Sequence, residues 1–349
     1  ILANRGFDVH QSHDEFNDDL KIKHPSFVKQ CLEKAAGKPL FLFLYFSKIH
    51  TVTVSDVLKK YEWNDKKFYE KKDENLKRYD NTFIEVGKYM KTFLDTLKEL
   101  QIYDNSIIIF FSDHGTGIGE RFSERNYGSF TYEETIRTFH LFISKDIKKG
   151  RISEKLRDTI DIFPTILDLA KINSNLDRPG DSFAEFLLGN ISELREKDYT
   201  FSETGALHGL YPSPEKSNVF CVKTPTQKLM YLESPKQWKF FDLIDDPNEL
   251  ENKYGTNPEI ENKLKTILNE FVAYLYLADT DTYALSERSN LIMLYALCGF
   301  ANFSSVGILL SGMSAMVPER RKDLIAVSIK ALWAALLASC MTGFIVGIL

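Results

Sequence analysis

Ser112, Asp113, His114 and Gly115 follow five consecutive apolar residues, Ile107 to Phe111, in the run IIIFFSDHGTGIGE. A carboxylate and an imidazole on adjacent residues supply two donors for a divalent cation, and glycines let backbone approach such an ion closely. A buried strand that delivers them at its C-terminal edge puts them where open α/β sheets hold their ligands. A strand that simply ends in a polar turn uses the same residue types, and that reading stays open at this point. Cysteine offers no second metal site. Cys31, Cys221, Cys298 and Cys340 form no C-x-x-C, so neither a zinc cluster nor a disulfide framework is indicated.

The elements that must position this pair alternate in type. KPLFLFLYF, Lys38 to Phe46, is a short apolar run after Gly37 and predicts a strand buried on both faces. Arg78 to Leu100 places Phe83, Val86, Met90, Phe93 and Leu97 at helical spacing. TFHLFIS, Thr138 to Ser144, reads as a further strand, and Asp161 to Ile172 as a helix with Pro164 in its first turn, where a missing N–H costs little. QKLMYLES and WKFFDLIDDPNE read as a hairpin followed by an acidic loop. Strands alternating with helices over residues 1 to about 268 predict an α/β sandwich.

The 349 residues suffice for two ordinary domains, and a net charge of −5 gives no reason to expect a nucleic-acid partner. The charge is segregated. Leu291 to Val317 contains no Asp, Glu, Lys or Arg, and Leu324 to Leu349 contains only Lys330. Each is long enough to cross a bilayer core, which takes about 20 apolar residues. In the first, Asn302, Ser304 and Ser305 interrupt the apolar run beside Gly299 and Gly307. Polar groups at that depth face a cavity or a partner, while the small residues, including Ala301 and Gly312, equally suit helix packing. The chain opens ILANRGFDVH, without an initiator Met or signal peptide, and ends inside an apolar run. It reads as a piece of something longer.

Residues 30 to 268 resemble the sulfatase branch of the alkaline-phosphatase superfamily, with matching pieces in family order. FLFLYFSKIHT is similar to that family's strand ending in a catalytic-site histidine. The stretch from YDNTF to GTGIGE is similar to its helix, strand and second metal-ligand pair. FTYEETIRTFHLFIS, DIFPTILDLAKI, RPGDSFAEFLLG and FFDLIDDPNELEN resemble its later landmarks. The resemblance implies an alkaline-phosphatase/sulfatase-like sandwich and a sulfate or phosphate ester substrate. It implies that Asp113 and His114 hold a divalent metal ion, calcium or magnesium in sulfatases and zinc or manganese in phosphoesterase relatives. His50 would contact the ester oxygens or leaving group, and His208 would be a further ligand in the zinc-type relatives or else a solvated loop residue. The chain also departs from the pattern. The family's nucleophile lies in C-x-P-x-R or is a Thr or Ser, and no cysteine here has Pro two residues and Arg four residues later. A pair of metal-binding Asp residues precedes it in the family. The lysine that sulfatases place after the metal loop is replaced by ERNYGSFTYEE, with Tyr127 and Gly128 near its place. Arg121 or Arg125 is then the candidate substitute cation.

From Asn269 onward the sequence resembles the C-terminal part of concentrative nucleoside transporters, with ALCGFANFSS and PERR as the specific signatures. That resemblance implies that Glu270, Asn302 and Ser305 hydrogen-bond a nucleoside ribose and that Phe300 lines the same site. Sodium is the coupling ion of the intact family. Two transmembrane helices and part of a re-entrant hairpin are expected, with Arg320, Arg321 and Lys322 in a cytoplasmic loop and the C-terminus outside. Two families thus meet near Leu268 and Asn269. Three readings compete: a metal-dependent ester hydrolase tethered to a lipid bilayer, a sodium–nucleoside symporter with a soluble insertion, and a fusion without activity, real or an artefact of sequence assembly. Few specific contacts are expected between residues 1–268 and 269–349, and either a continuous helix or a loose joint near Thr266 to Phe271.

Overall fold

The computed structural model describes residues 6–14, 16–53, 65–122, 124–126, 130–173, 179–205, 219–278 and 320–348, with a few isolated positions between 286 and 295. The chain forms two compact units, one from residues 1–195 and 207–212, the other from residues 196–206 and 213–349.

In the first unit, helix α1 (Leu20–Ala35) begins where the Asp19 carboxylate accepts the Lys21 N–H at 2.9 Å. It ends where Ala36 turns left-handed at φ +50°. Short helices α2 (Lys48–Thr53) and α3 (Lys66–Glu70) precede the long α4 (Lys72–Glu99). Strand β1 (Ile108–Phe111) leads into the hairpin β2 (Gly117–Arg121) and β3 (Glu124–Asn126). After the short α5 (Glu133–Ile136), β4 (His140–Ile143) returns antiparallel to β1, with Phe110 opposite Leu141 and Phe111 opposite His140. Val28 of α1, Phe93 and Leu97 of α4, and Ile108 of β1 form the core beneath these strands. The α4 seam keeps Phe93 and Leu97 as expected, but toward the N-terminus it lies one position away. Asn75, Thr82, Tyr89, Phe93 and Leu97 are buried and Phe83 is exposed. Asn75, Thr82 and Tyr89 recur every seven residues, so polar side chains with hydrogen-bond partners take buried places that hydrophobicity alone assigned elsewhere. Thr82 returns its hydroxyl to the Arg78 carbonyl at 3.0 Å, and Asn75 donates to the carbonyls of Phe68 and Ile118.

Lys38 to Phe46 corrects the sequence expectation. It joins no ladder among the described residues, and alternate side chains from Phe41 to Phe46 are exposed. Leu42 and Leu44 pack on the α1–α4 core, whereas Phe41 and Phe43 are 64% and 52% exposed. Alternate residues of an extended chain point to opposite faces, so a segment packed on one layer buries only half its apolar side chains. The ladders among the described residues are all antiparallel.

Helices α6 (Ile162–Leu169) and α7 (Ala184–Leu188) complete the described part of this unit. Pro164 sits in the first turn of α6 as expected. Asp161, fully buried before it, accepts the Asp158 N–H at 3.1 Å and the Asp181 N–H at 2.7 Å, and pairs with Arg157 at 3.0 Å. Gly180 approaches this turn at φ +95°, where an added Cβ would lie 2.5 Å from the Ile160 carbonyl oxygen. Only glycine fits there.

The second unit is built on an antiparallel sheet in the order β5 (Thr200–Thr204), β6 (Val219–Lys223), β7 (Gln227–Leu232), β8 (Gln237–Asp242). Helix α8 (Pro258–Ala278) lies on one face through Leu264 and Leu268. The β7–β8 hairpin matches the sequence reading, and its acidic loop is pinned back to the sheet. Glu249, at φ +54°, pairs with Lys228 at 2.7 Å, both side chains fully buried. Asn252 accepts the Phe240 N–H at 3.0 Å. The C-terminal helix α9 (Arg321–Ile348) is apolar all round. It is the one helix among the described residues long and apolar enough to cross a membrane, and almost none of that stretch is buried. Trp333 is 63% exposed. Of the two spans expected, 291–317 lies almost wholly outside the described residues.

Two outcomes follow for stability. A buried lysine stripped of its partner carries an uncompensated charge, so Glu249→Ala should cost about 3–5 kcal/mol, whereas Lys228→Met with Glu249→Leu should recover most of that loss. Urea titration followed by amide exchange in β7 reads both variants; equal loss in single and double variants would refute the pairing. His24 is buried between α1 and α4, its Nδ1 2.6 Å from the Tyr89 hydroxyl, and burial, with His13 nearby, lowers its pKa from 6.5 to about 4. The folded state therefore binds fewer protons than the unfolded chain between these values. The first unit should lose stability as pH falls from about 6.5 toward 4, and His24→Gln should flatten that part of the profile in thermal melts.

Candidate active site

The residues that could do chemistry sit where β1 ends. Ile108 and Phe110 face the α1–α4 core, and the ladder with β4 continues past the strand: Ser112 N–H donates to the Phe139 carbonyl at 3.2 Å, and Phe139 N–H to the Ser112 hydroxyl at 3.2 Å. Ser112 is thereby a structural residue that ties the two strands together. Beyond it the chain turns. Gly115 N–H donates to the Thr135 carbonyl at 2.8 Å, and a Cβ on Gly115 would lie 2.3 Å from the Glu134 carbonyl oxygen. The glycine of S-D-H-G is required by this close approach of two backbone segments.

Asp113 and His114 stand together in this turn. The Asp113 carboxylate accepts the His114 N–H at 3.0 Å. His114 Nδ1 lies 2.7 Å from the Gly115 carbonyl, and since a carbonyl only accepts, Nδ1 carries the proton. A neutral imidazole so held presents Nε2 as its ligating atom, the arrangement in which a backbone carbonyl sets the tautomer of a metal-binding histidine. Nε2 is 3.8 Å from Asp113 Oδ2. Neighbouring ligand atoms around a cation at about 2.1 Å lie roughly 3 Å apart, so a side-chain rotation closes the difference. The Asp113 side chain is 69% exposed. The two donors thus fit one edge of a divalent cation's shell. They do not make a full shell, and no cluster of three or more His, Cys, Asp or Glu occurs among the described residues. A carboxylate and an imidazole can serve any of calcium, magnesium, zinc or manganese, and each would need further ligands.

His50 lies on α2 and is half-buried. It does not complete a three-ligand cluster with Asp113 and His114. Arg121 corrects the expectation that it stands in for the sulfatase lysine. Its Nε and Nη2 grip the Glu134 carboxylate at 2.6 and 3.1 Å, and its guanidinium stacks on the Tyr132 ring at 3.9 Å. A bidentate pair of this kind neutralises the charge and fixes the fork, so Arg121 ties the end of β2 to α5 rather than meeting an anion. The Arg125 side chain, Tyr127, Gly128 and His208 lie outside the described residues. So do Phe300, Asn302, Ser305 and the side chain of Glu270, whose backbone belongs to α8.

His140 was missed by the sequence reading. It stands opposite Phe111 at the same sheet edge, its Nε2 is buried, and no hydrogen-bond partner for it occurs among the described residues. Burial lowers its pKa, and Asp161 pulls in the opposite direction. The signal was a lone imidazole inside the apolar run TFHLFIS, which reads by periodicity as an ordinary strand.

Against known proteins, the chain matches a sulfatase family model over residues 21–172 and a model of the C-terminal part of N-sulphoglucosamine sulphohydrolase over 125–273. It matches a model of the Na+ dependent nucleoside transporter C-terminus over 263–347. A solved protein assigned as a sulfatase, from Bacteroides thetaiotaomicron, superposes with a TM-score of 0.52 at 20% identity, over 66% of this chain and 48% of that one. A 2-O GAG sulfatase superposes with a TM-score of 0.50 at 20% identity, over 60% and 44%. Similar curated proteins include an uncharacterised transporter of Haemophilus influenzae, 44% identical over 89 residues, which are 24% of this chain and 21% of that protein. Another is sodium/nucleoside cotransporter 1 of Mus musculus, 39% identical over 100 residues, 25% of this chain and 15% of that protein. The chain therefore spans about a fifth or less of these transporters and about half of these sulfatases. The chain thus combines a sulfatase-like α/β fold with a C-terminal segment similar to the C-terminus of Na+ dependent nucleoside transporters.

Proposed function

We propose that residues up to about 268 belong to a metal-dependent hydrolase of sulfuric or phosphoric esters. Transporter-like sequence from about 269 then attaches it to a bacterial inner or plasma membrane. The observation that carries this reading is the Asp113–His114 pair at the end of β1, with the His114 tautomer set by the Gly115 carbonyl. Asp113 and His114 would hold the cation, which when bound would stabilise negative charge developing on the ester oxygens. His50 would meet the ester oxygens or the leaving group. Hydrolysis also needs an activated nucleophile, and these 349 residues contain no C-x-P-x-R. We therefore read residues 1–349 by themselves as catalytically silent, a fusion in which neither family's machinery is whole.

A second reading rests on the 44% and 39% identities to transporters. In it Glu270, Phe300, Asn302 and Ser305 contact a nucleoside in a sodium-coupled carrier. The small share of those proteins spanned here makes it the weaker one. In both readings the C-terminal end is a multi-pass membrane segment.

Calorimetric titration of the full chain in detergent with calcium, magnesium, zinc and manganese in turn should show binding of at least one that Asp113→Ala removes and Ser112→Ala leaves in place. Unchanged binding in Asp113→Ala would sink the site. With any of the four cations the chain should release no product from aryl sulfates or bis-aryl phosphates above the metal-only background; turnover abolished by Asp113→Ala would overturn the silence. For topology, a Lys322→Cys variant in cells should resist an impermeant thiol reagent added outside, and ready labelling would reverse the assigned orientation.

A further inference from the structure

Helix α8 runs unbroken through the point where the two families meet, and their matched segments overlap at residues 263–273. Its apolar stripe is Ile260, Leu264, Ile267, Leu268, Phe271 and Val272, and all six belong to one core with the β5–β8 sheet. The spacing of four, seven, eight, eleven and twelve residues from Ile260 is one continuous helical face. Beneath it, register aligns Phe201, Val222, Leu229 and Phe240 in a single row across the four strands. Phe271 closes the end of that row by stacking on Phe201, ring centroids 4.2 Å apart and planes within 4°. Leu264 and Leu268 cover its middle and are nearly inaccessible to solvent.

We propose that Phe271 and Val272, which fall in the stretch matched by both families, are structural core residues of the β5–β8 sheet. The two families are then joined by one shared helix in fixed phase rather than by a linker. The physical reason is that a core helix must keep a single stripe on its sheet. One residue more or fewer at the junction turns everything after it by about 100° and takes Phe271 off Phe201. A helix also carries no hinge where its hydrogen bonds are unbroken. The sheet and the start of the transporter-like segment consequently move as one body. The inference depends on neither proposed activity.

Amide exchange of the full chain in detergent tests it. Phe271→Ala, and separately one alanine inserted between Leu268 and Asn269, should speed exchange in β5 and β6 by about tenfold or more. Phe271→Leu should retain most of the protection, and Trp333→Ala on α9 should change nothing in the sheet. If the insertion and Phe271→Ala both leave β5 and β6 protected, the residues after Leu268 are passengers and the proposal is wrong. Should Phe271→Ala fail to fold, the Phe271→Leu and insertion variants still decide between the two.

Discussion

Burial of Ile108 and Phe110 against α1 and α4 sets the direction in which β1 leaves the core, and with it the place of every residue in the candidate site. Once those two side chains are inside, the antiparallel register with β4 follows. Ser112 can then close the ladder on Phe139, and the next residues must leave the sheet. Asp113 and His114 are the next residues beyond the ladder, and the turn through Gly115 then packs against the backbone of Glu134. The site is thus a consequence of a one-faced strand. The same one-sidedness leaves Phe41, Phe43 and Phe111 with substantial exposure on the opposite face, Phe43 and Phe111 in ring contact at 6.5 Å.

Away from that edge, the conspicuous polar residues hold chain segments together. Asp161 gathers two backbone N–H groups and one guanidinium, joining the turn before α6 to the RPGDS loop. Lys228 and Glu249 join the acidic loop to the middle of a sheet, and Arg121 with Glu134 joins β2 to α5. A buried charge without its partner is costly, so each pair admits one arrangement of its loop. Motifs that look chemical in a linear reading therefore divide into latches and a single exposed pair. Exposure separates them: 69% for the Asp113 side chain and none for Asp161 or Glu249.

The second unit obeys a different constraint, helical phase. α8 keeps one apolar stripe on the sheet over its described core contacts. By contrast α9 has no polar face on which to rest in water and exposes Trp333, Leu337, Met341 and Phe344. A helix apolar all round requires an apolar surrounding, which a bilayer supplies.

Composition and spacing by themselves determined much of this. The apolar run before S-D-H-G, the helix after it with Pro164 in its first turn, the β7–β8 hairpin and the segregation of charge before α9 were all readable, because each is a local pattern of period two, period 3.6 or simple length. The sequence likewise distinguished a sulfatase-like part from a transporter-like part. Tertiary structure decided what depends on distant partners. It decided that Lys38 to Phe46 is covered on one side, since an apolar run does not say how many layers will meet it. It put Thr82 rather than Phe83 into the α4 seam, because a hydroxyl that returns to its own helix can be buried without loss. Arg121 became a latch only through Glu134, thirteen residues on. The stack of Phe271 on Phe201 joins residues seventy positions apart. Contacts at that separation are chosen by packing geometry, which no local pattern encodes.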